Sequence, residues 1–243
     1  MLIRLATPQD EPAIAALCAA AFFNEHLFGV TIHPHRHAYP ADKQIFWRQW
    51  LREDLSTPCA RVIVSTTLEN GQEIITGMAT WQRQGSDPYA QAVKNEWINP
   101  GAFPPLESTH NRAMDPTRAS ILQDSEPYFK HFWNATTNGV PRLENWYLHL
   151  CCIHPSHQKR GYGQQLVSWG LERARNEGVH ASVMASDGAD AFYLRYGFDE
   201  CVGNCCQGEG NPLGVAGVRG GDVLFMWAKT ESKGTTETDL ALS

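Results

Sequence analysis

Between Trp146 and Phe198 the chain gathers residues that could hold a phosphate and move protons. An apolar run, Tyr147 to Ile153, leads into Gln158-Lys159-Arg160-Gly161-Tyr162-Gly163, and an amphipathic run beginning with Gln164 follows. A strand, a glycine loop and a helix N-terminus make an anion site, because unpaired backbone N–H groups and the positive helix end favour a bound phosphate. Gly161 and Gly163 let backbone approach that phosphate without a Cβ in the way. Lys159 and Arg160 add positive charge beside it. His149 carries an imidazole, suited to taking a proton near neutral pH. Tyr193 carries a phenol that can donate a proton. Strand alternation sets Tyr147, His149 and Cys151 on one face. Each residue also has a plain structural role open to it: His149 as a half-buried strand histidine, Tyr193 as packing beside Phe192 and Phe198, Ser186 as a helix cap.

The elements that must position these groups read as follows. Leu2 to Leu5 alternates as a strand, and Thr7 or Asp10 can cap the helix that follows, with Pro12 in its first turn. Ile14, Leu17, Cys18, Ala21 and Phe22 recur at helical spacing, and Gly29 ends that pattern. Asp42 to Leu55 reads as a second helix with Ile45, Phe46, Trp50 and Leu51 as its apolar stripe. Arg61 to Leu68 and Glu73 to Gln82 read as strands joined by the hairpin signal Asn70-Gly71. The segment 84–144 is rich in proline and aromatic residues, Pro104 among the former, and its aromatics argue that it packs. Within it Gln123 to Trp133 is predicted helical, with Tyr128, Phe129, Phe132 and Trp133 on one side. After Gly163 a helix shows Leu166, Val167, Gly170, Leu171 and Ala174 on one face, and Gly178 fits its C-terminal stop. Val179 to Ala185 is the next strand. A short helix through Tyr196, capped by Ser186 or Asp187, is stopped by Gly197. Asp199 to Cys206 and Asp222 to Lys229 read as final strands, with a mobile glycine-rich loop from Gly208 to Gly221. The tail 231–243 is polar and expected to be disordered.

Among phosphate loops, the G-x-x-x-x-G-K-[ST] pattern is absent, and a dinucleotide fingerprint fails because Leu166 stands where its third glycine belongs. The pattern Gln158 to Gly163 instead resembles the Q/R-x-x-G-x-G/A signature of the GNAT superfamily of acyl-CoA N-acyltransferases. Tyr193-Leu194-Arg195-Tyr196-Gly197-Phe198 resembles that family's Y-x-x-x-G-F ending. The element order of the N-terminal half is also similar to the family's. The resemblance implies an α/β fold, a central mixed β-sheet flanked by helices, as one domain over 1–230. The segment 84–144 does not fit the family's minimal pattern and reads as an insertion, either folded over the acceptor side or packed as a satellite core with no substrate contact.

The resemblance also implies roles. The loop Gln158, Lys159, Arg160, Gly161, Tyr162, Gly163 and Gln164 would grip the pyrophosphate of coenzyme A. Main-chain groups at Cys151, Cys152 and Ile153, on a bulged and splayed strand, would pair with the pantetheine arm, and Ser186 would bind it from across. His149 matches the second histidine of the H-x-H-x-x-x-V-H strand of arylalkylamine N-acetyltransferases, while Tyr147 replaces the first and also stands where many members have glutamate. Either His149 or a water takes the amine's proton, and Tyr193 returns one to sulfur. The implied activity is transfer of an acetyl group from acetyl-CoA to a primary amine of a small molecule, by direct attack in a ternary complex. The alternatives are a peptide or protein N-terminal or lysine acceptor, or a non-catalytic acyl-CoA-binding module.

Composition narrows the rest. The 243 residues are 42% hydrophobic and 19% charged, ordinary for a globular protein. A formal net charge of −6 disfavours nucleic acid as a partner. No apolar run is long enough to span a membrane and no signal peptide is seen. Seven cysteines without framework spacing argue for a reducing, cytoplasmic or nuclear compartment. His33, His35 and His37 lack partners at zinc spacing, and neither H-E-x-x-H nor C-x-x-C occurs, so no metal is expected. The sequence leaves monomer and homodimer both open.

Overall fold

The computed structural model describes residues 2–103, 105–106 and 108–229. The tail expected beyond 230, and Pro104 in the insertion, lie outside them. Strand β1 (Leu2–Leu5) precedes α1 (Glu11–Ala21), α2 (Lys43–Ser56), β2 (Ala60–Glu69) and β3 (Gln72–Arg83). The insertion contributes α3 (Pro88–Asn95), α4 (Ile121–Phe129) and the short pair β4 (Thr136–Thr137) and β5 (Val140–Pro141). Then come β6 (Asn145–Ile153), α5 (Tyr162–Glu177), β7 (His180–Ser186), α6 (Asp190–Arg195), β8 (Glu200–Asn204), α7 (Pro212–Val215) and β9 (Gly220–Met226).

Seven strands form one mixed sheet in the order β1-β2-β3-β6-β7-β9-β8. All neighbours are antiparallel except β6 and β7, which run parallel and are joined through α5. That crossover is what a parallel pair requires. The hairpin at Asn70-Gly71 forms as expected, with both residues at positive φ. Helix α5 buries Leu166, Val167, Gly170, Leu171 and Ala174 on one sheet face, against Trp81, Trp146 and Leu148. Helices α1 and α2 cover the other face, where Ile14, Leu17, Cys18, Trp47 and Leu51 meet Met78, Leu150 and Cys152.

Several expectations need correcting. The buried stripe of α2 is Lys43, Trp47, Leu51 and Asp54, while Ile45 is only half-buried. Lys43 goes inside because its ammonium donates to the carbonyls of Ala19 and Phe22 (3.1 and 3.3 Å), closing the C-terminal end of α1. Gly29 does not end α1; it lies inside a separate π-helical turn, His26–Thr31. The short helix α6 has Ala189 as its N-cap, and neither Ser186 nor Asp187 fills that place. The glycine-rich stretch after Gly208 is packed, because it contains α7, whose Leu213 is buried against the insertion's Ile121 and Phe129. In the insertion, α4 ends at Phe129 and a 3-10 turn runs from Lys130 to Trp133; Phe129 and Trp133 point inward while Tyr128 is exposed.

Candidate active site

One added residue in β6 shapes the site. Against β3, Leu148 pairs with Trp81 and Leu150 pairs with Thr80, so His149 is an extra residue in the ladder, a β-bulge. The bulge overturns the expected alternation. Tyr147 faces the α1/α2 side with Leu150 and Cys152, whereas Cys151 and Ile153 pack on the α5 side. Pairing of β6 with β7 stops at Leu148 and Val183, although both strands run on. Past that point their facing main-chain groups are outside any ladder, as an extended ligand arm needs.

The gap between the strands belongs to a cavity of about 770 Å³. Ten of the expected cofactor residues, Cys151, Cys152, Ile153, Gln158, Lys159, Gly161, Tyr162, Gly163, Gln164 and Ser186, line it together with Tyr193. Arg160 does not; it is exposed. The loop backbone turns through positive φ at Lys159 (61°) and Gly161 (87°), the latter being the N-cap of α5. That places the free N–H groups of the first turn of α5 at the cavity mouth. Gln158 donates from Nε2 to the Ile153 carbonyl (3.3 Å), tying the loop back to the strand end. Gly163 packs closely: a Cβ there would lie 3.2 Å from the Phe192 ring, which would have to shift slightly to admit it.

Tyr193 sits on the cavity wall between Phe192 and Phe198, with ring centroids 5.3 and 5.5 Å away. Burial, then the nearby Cys151 and Cys152 thiols, push its phenol well above the ordinary range. It therefore holds its proton until a strong base forms beside it. Burial likewise pushes Cys151 up to about 12 and raises Cys152, whose sulfur lies 3.7 Å from that of Cys18. Thiols held protonated in this way are poor nucleophiles, which argues against an acyl-cysteine step.

His149 lies on the other side of the sheet. Its ring stacks on Trp50 at 5.1 Å and 25°, and Nδ1 lies 3.1 Å from Asp54 Oδ1 and 3.0 Å from the Gln82 amide. It borders a small pocket of about 70 Å³ with Phe28, Trp50, Leu122, Tyr147 and Leu213. Leu122 comes from the insertion, which thereby reaches this pocket. Glu25 and Ser186 are the residues that line both the pocket and the large cavity, so they form the neck between them. Glu25 accepts from the Phe28 N–H at 2.7 Å, and burial raises its carboxyl above the ordinary carboxylate range.

Sequence reasoning missed both Glu25 and Asp54. Asp54 does show a signal: it falls on the buried helical face set by Trp47 and Leu51. Glu25 gives none, because it follows the helix in irregular chain. His33 turns out buried, its Nδ1 2.6 Å from the Phe28 carbonyl and its Nε2 3.1 Å from Asn111, a structural role. Among the described residues no group of three or more histidines, cysteines or carboxylates could hold a metal, and no helix is long and apolar enough to cross a membrane.

Comparison with known proteins agrees with this architecture. Residues 107–198 match the acetyltransferase (GNAT) family. A protein described as an acetyltransferase from Stachybotrys chartarum is 26% identical over 204 residues, 81% of this chain and 80% of the relative. A Corynebacterium glutamicum crystal structure described as histone acetyltransferase HPA2 and related acetyltransferase superposes with a TM-score of 0.57 at 17% identity, covering 95% of this chain and 97% of that one. Residues 107–198 are thus similar to the acetyltransferase (GNAT) family, and the sheet around them shares the architecture of the superposed acetyltransferase structure.

Proposed function

We propose that the protein transfers an acetyl group from acetyl-CoA to a primary amine of a small molecule, by direct attack in a ternary complex. The carrying observation is the neck at Glu25 and Ser186, where a large cavity walled by the phosphate-type loop and Tyr193 meets a small histidine pocket. Donor and acceptor entering from opposite chambers meet there, which is the positioning a bimolecular transfer needs.

Acetyl-CoA supplies the activated carbonyl and the thiolate leaving group. The loop from Gln158 to Gln164 binds its pyrophosphate through the N-terminus of α5, and the splayed strand at Cys151 to Ile153 carries the pantetheine arm. The Glu25 carboxylate offers a counter-charge to the acceptor's ammonium. His149, or a water beside it, removes a proton so that nitrogen can attack the carbonyl carbon. As the C–S bond breaks, Tyr193 donates its proton to sulfur. Each such proton transfer contributes about 10²–10⁴ in rate.

The pocket's size, about 70 Å³, favours a small amine over a folded protein segment as the group that reaches the neck. The test is a thiol-release assay with acetyl-CoA against matched small amines and peptides, alongside calorimetric titration with CoA. Micromolar CoA binding with thiol release on small amines is the expected result. Release only on peptides would transfer the reading to a protein acceptor. Binding without release on any acceptor would leave an acyl-CoA-binding module.

A further inference from the structure

His149 and Trp50 also line a second cavity, of about 320 Å³, on the far side of their stacked rings. Its rim carries the exposed Gln49, Glu53 and Gln123, so it opens to solvent, and Asp54 stands on its wall. The imidazole therefore borders both the small pocket and the second cavity.

Asp54 fixes how that ring is protonated. It is only 4% exposed. One carboxylate oxygen accepts from Thr80 Oγ1 at 2.7 Å and the other lies 3.1 Å from His149 Nδ1. An ionised carboxylate can only accept, so Nδ1 carries the hydrogen and donates it to Asp54. The Gln82 amide, 3.0 Å from the same nitrogen, must then turn its oxygen to the ring, since an N–H there would face another N–H. Nε2 is left without a protein partner among the described residues and with a free lone pair.

We infer that Asp54 is the positioning residue of His149, and that the imidazole passes the acceptor's proton from the small pocket to water in the second cavity. This rests on the acetyltransfer reading above. The amine's N–H bond breaks as an N–H bond forms at Nε2. The resulting imidazolium is stabilised by Asp54 through Nδ1. When the product leaves, the Nε2 proton goes to water in the second cavity and the electron pair returns to the ring. The charged or titratable groups lining the two spaces beside the ring are Asp54 and Glu53 from α2, Tyr147 from β6, and Glu25, Cys205, Cys206 and Arg219 around the small pocket. Of these, Asp54 alone hydrogen-bonds the imidazole.

The test compares wild type, Asp54→Asn and His149→Gln. It uses ring ¹⁵N NMR, the pH profile of kcat/KM with acetyl-CoA and 2-phenylethylamine, and CoA titration. Asparagine keeps an oxygen for Thr80 but can no longer hold the Nδ1–H form exclusively. Wild type should show His149 as the Nδ1–H tautomer, assigned by its loss in His149→Gln. Asp54→Asn should lose that signature, move the acidic limb of the profile to lower pH, and lower kcat roughly tenfold or more, part of what a general base supplies. CoA affinity should be unchanged. Wild-type tautomer, profile and rate in Asp54→Asn, with His149→Gln slow, would overturn the role of Asp54 alone. Full activity in His149→Gln would remove the base assignment beneath it. The ring spectra need no acceptor, so they decide the tautomer even if 2-phenylethylamine is not a substrate. Should Asp54→Asn fold poorly, Thr80→Val, which loosens the same carboxylate, should shift the profile less and in the same direction; no shift counts against the proposal.

Discussion

Gly170 of α5 lies directly on the indole of Trp81 in β3: a Cβ built at Gly170 would come within 2.2 Å of the ring. The same indole donates from Nε1 to the Leu166 carbonyl at 3.0 Å, so helix and strand are locked at one separation. Gly170→Ala must push them apart, an overpacking cost of about 1–3 kcal/mol. Urea unfolding should show a lower midpoint at unchanged slope.

Arg83 holds the two ends of the insertion to α5. It is fully buried and pairs with Asp87 (2.6 Å), Glu144 (3.0 Å) and Glu177 (2.6 Å). Arg83→Met leaves three carboxylates without their cation, and losing one side of a buried pair costs about 3–5 kcal/mol. Calorimetry should record a much lower Tm, with the small pocket at His149 losing Leu122 before the large cavity is affected. CoA binding measured below that Tm should survive.

Gly161→Val probes the loop. The position has φ of +87° and nothing within 4 Å of a built Cβ, so the substitution meets conformational strain and intrudes on open cavity space. A valine disfavours this left-handed conformation by roughly 1–2 kcal/mol and displaces a ligand phosphate. CoA affinity should fall at least tenfold by titration calorimetry; unchanged affinity would remove the loop from cofactor binding.

Tyr193→Phe keeps the packing against Phe192 and Phe198 and deletes the proton. Because burial holds this phenol protonated across the working range, its loss should lower kcat about tenfold to a hundredfold with little change in KM for acetyl-CoA. Equal kcat in steady-state assays would take Tyr193 out of the chemistry.

Glu25 makes a pH prediction with a definite sign. Burial raises its carboxyl above the ordinary 4.5, so the folded protein binds this proton more tightly than the unfolded chain does. Its contribution is present below pH 4.5 and is lost as pH rises through the folded value. Glu25→Gln retains an oxygen to accept from Phe28, and should have a Tm above wild type at pH 7 that converges on wild type by pH 4. Its KM for a cationic amine should rise.

The sequence announced the elements that repeat a period and concealed those that break one. The heptad-like face of α5 and the Asn70-Gly71 turn were readable because each follows local rules. The bulge at His149 was not, since two-residue alternation carries no mark of an added residue, and Cys151 was therefore assigned to the wrong face. Lys43 and Asp54 were hidden by the expectation that charge lies outside; both are buried because each finds hydrogen-bond partners contributed by distant chain. Glu25 and Ser186 come together only through the tertiary fold, being far apart in sequence. The loop residues were legible, yet local sequence does not say which of them reach the cavity, and Arg160 is exposed and outside its lining.

The extra residue at His149 has a consequence for how such a site could arise or be erased. Removing that residue would restore an uninterrupted pleat from Leu148 to Ile153, with Leu150, Cys151 and Cys152 kept on the faces they now occupy, and should let β6 zip to β7 beyond Leu148. The opening between the strands would close without any change in the loop, the helix or the tyrosine. In this fold, room for a ligand is a matter of chain length counted in single residues, and a one-codon deletion should abolish it more completely than any substitution in its walls.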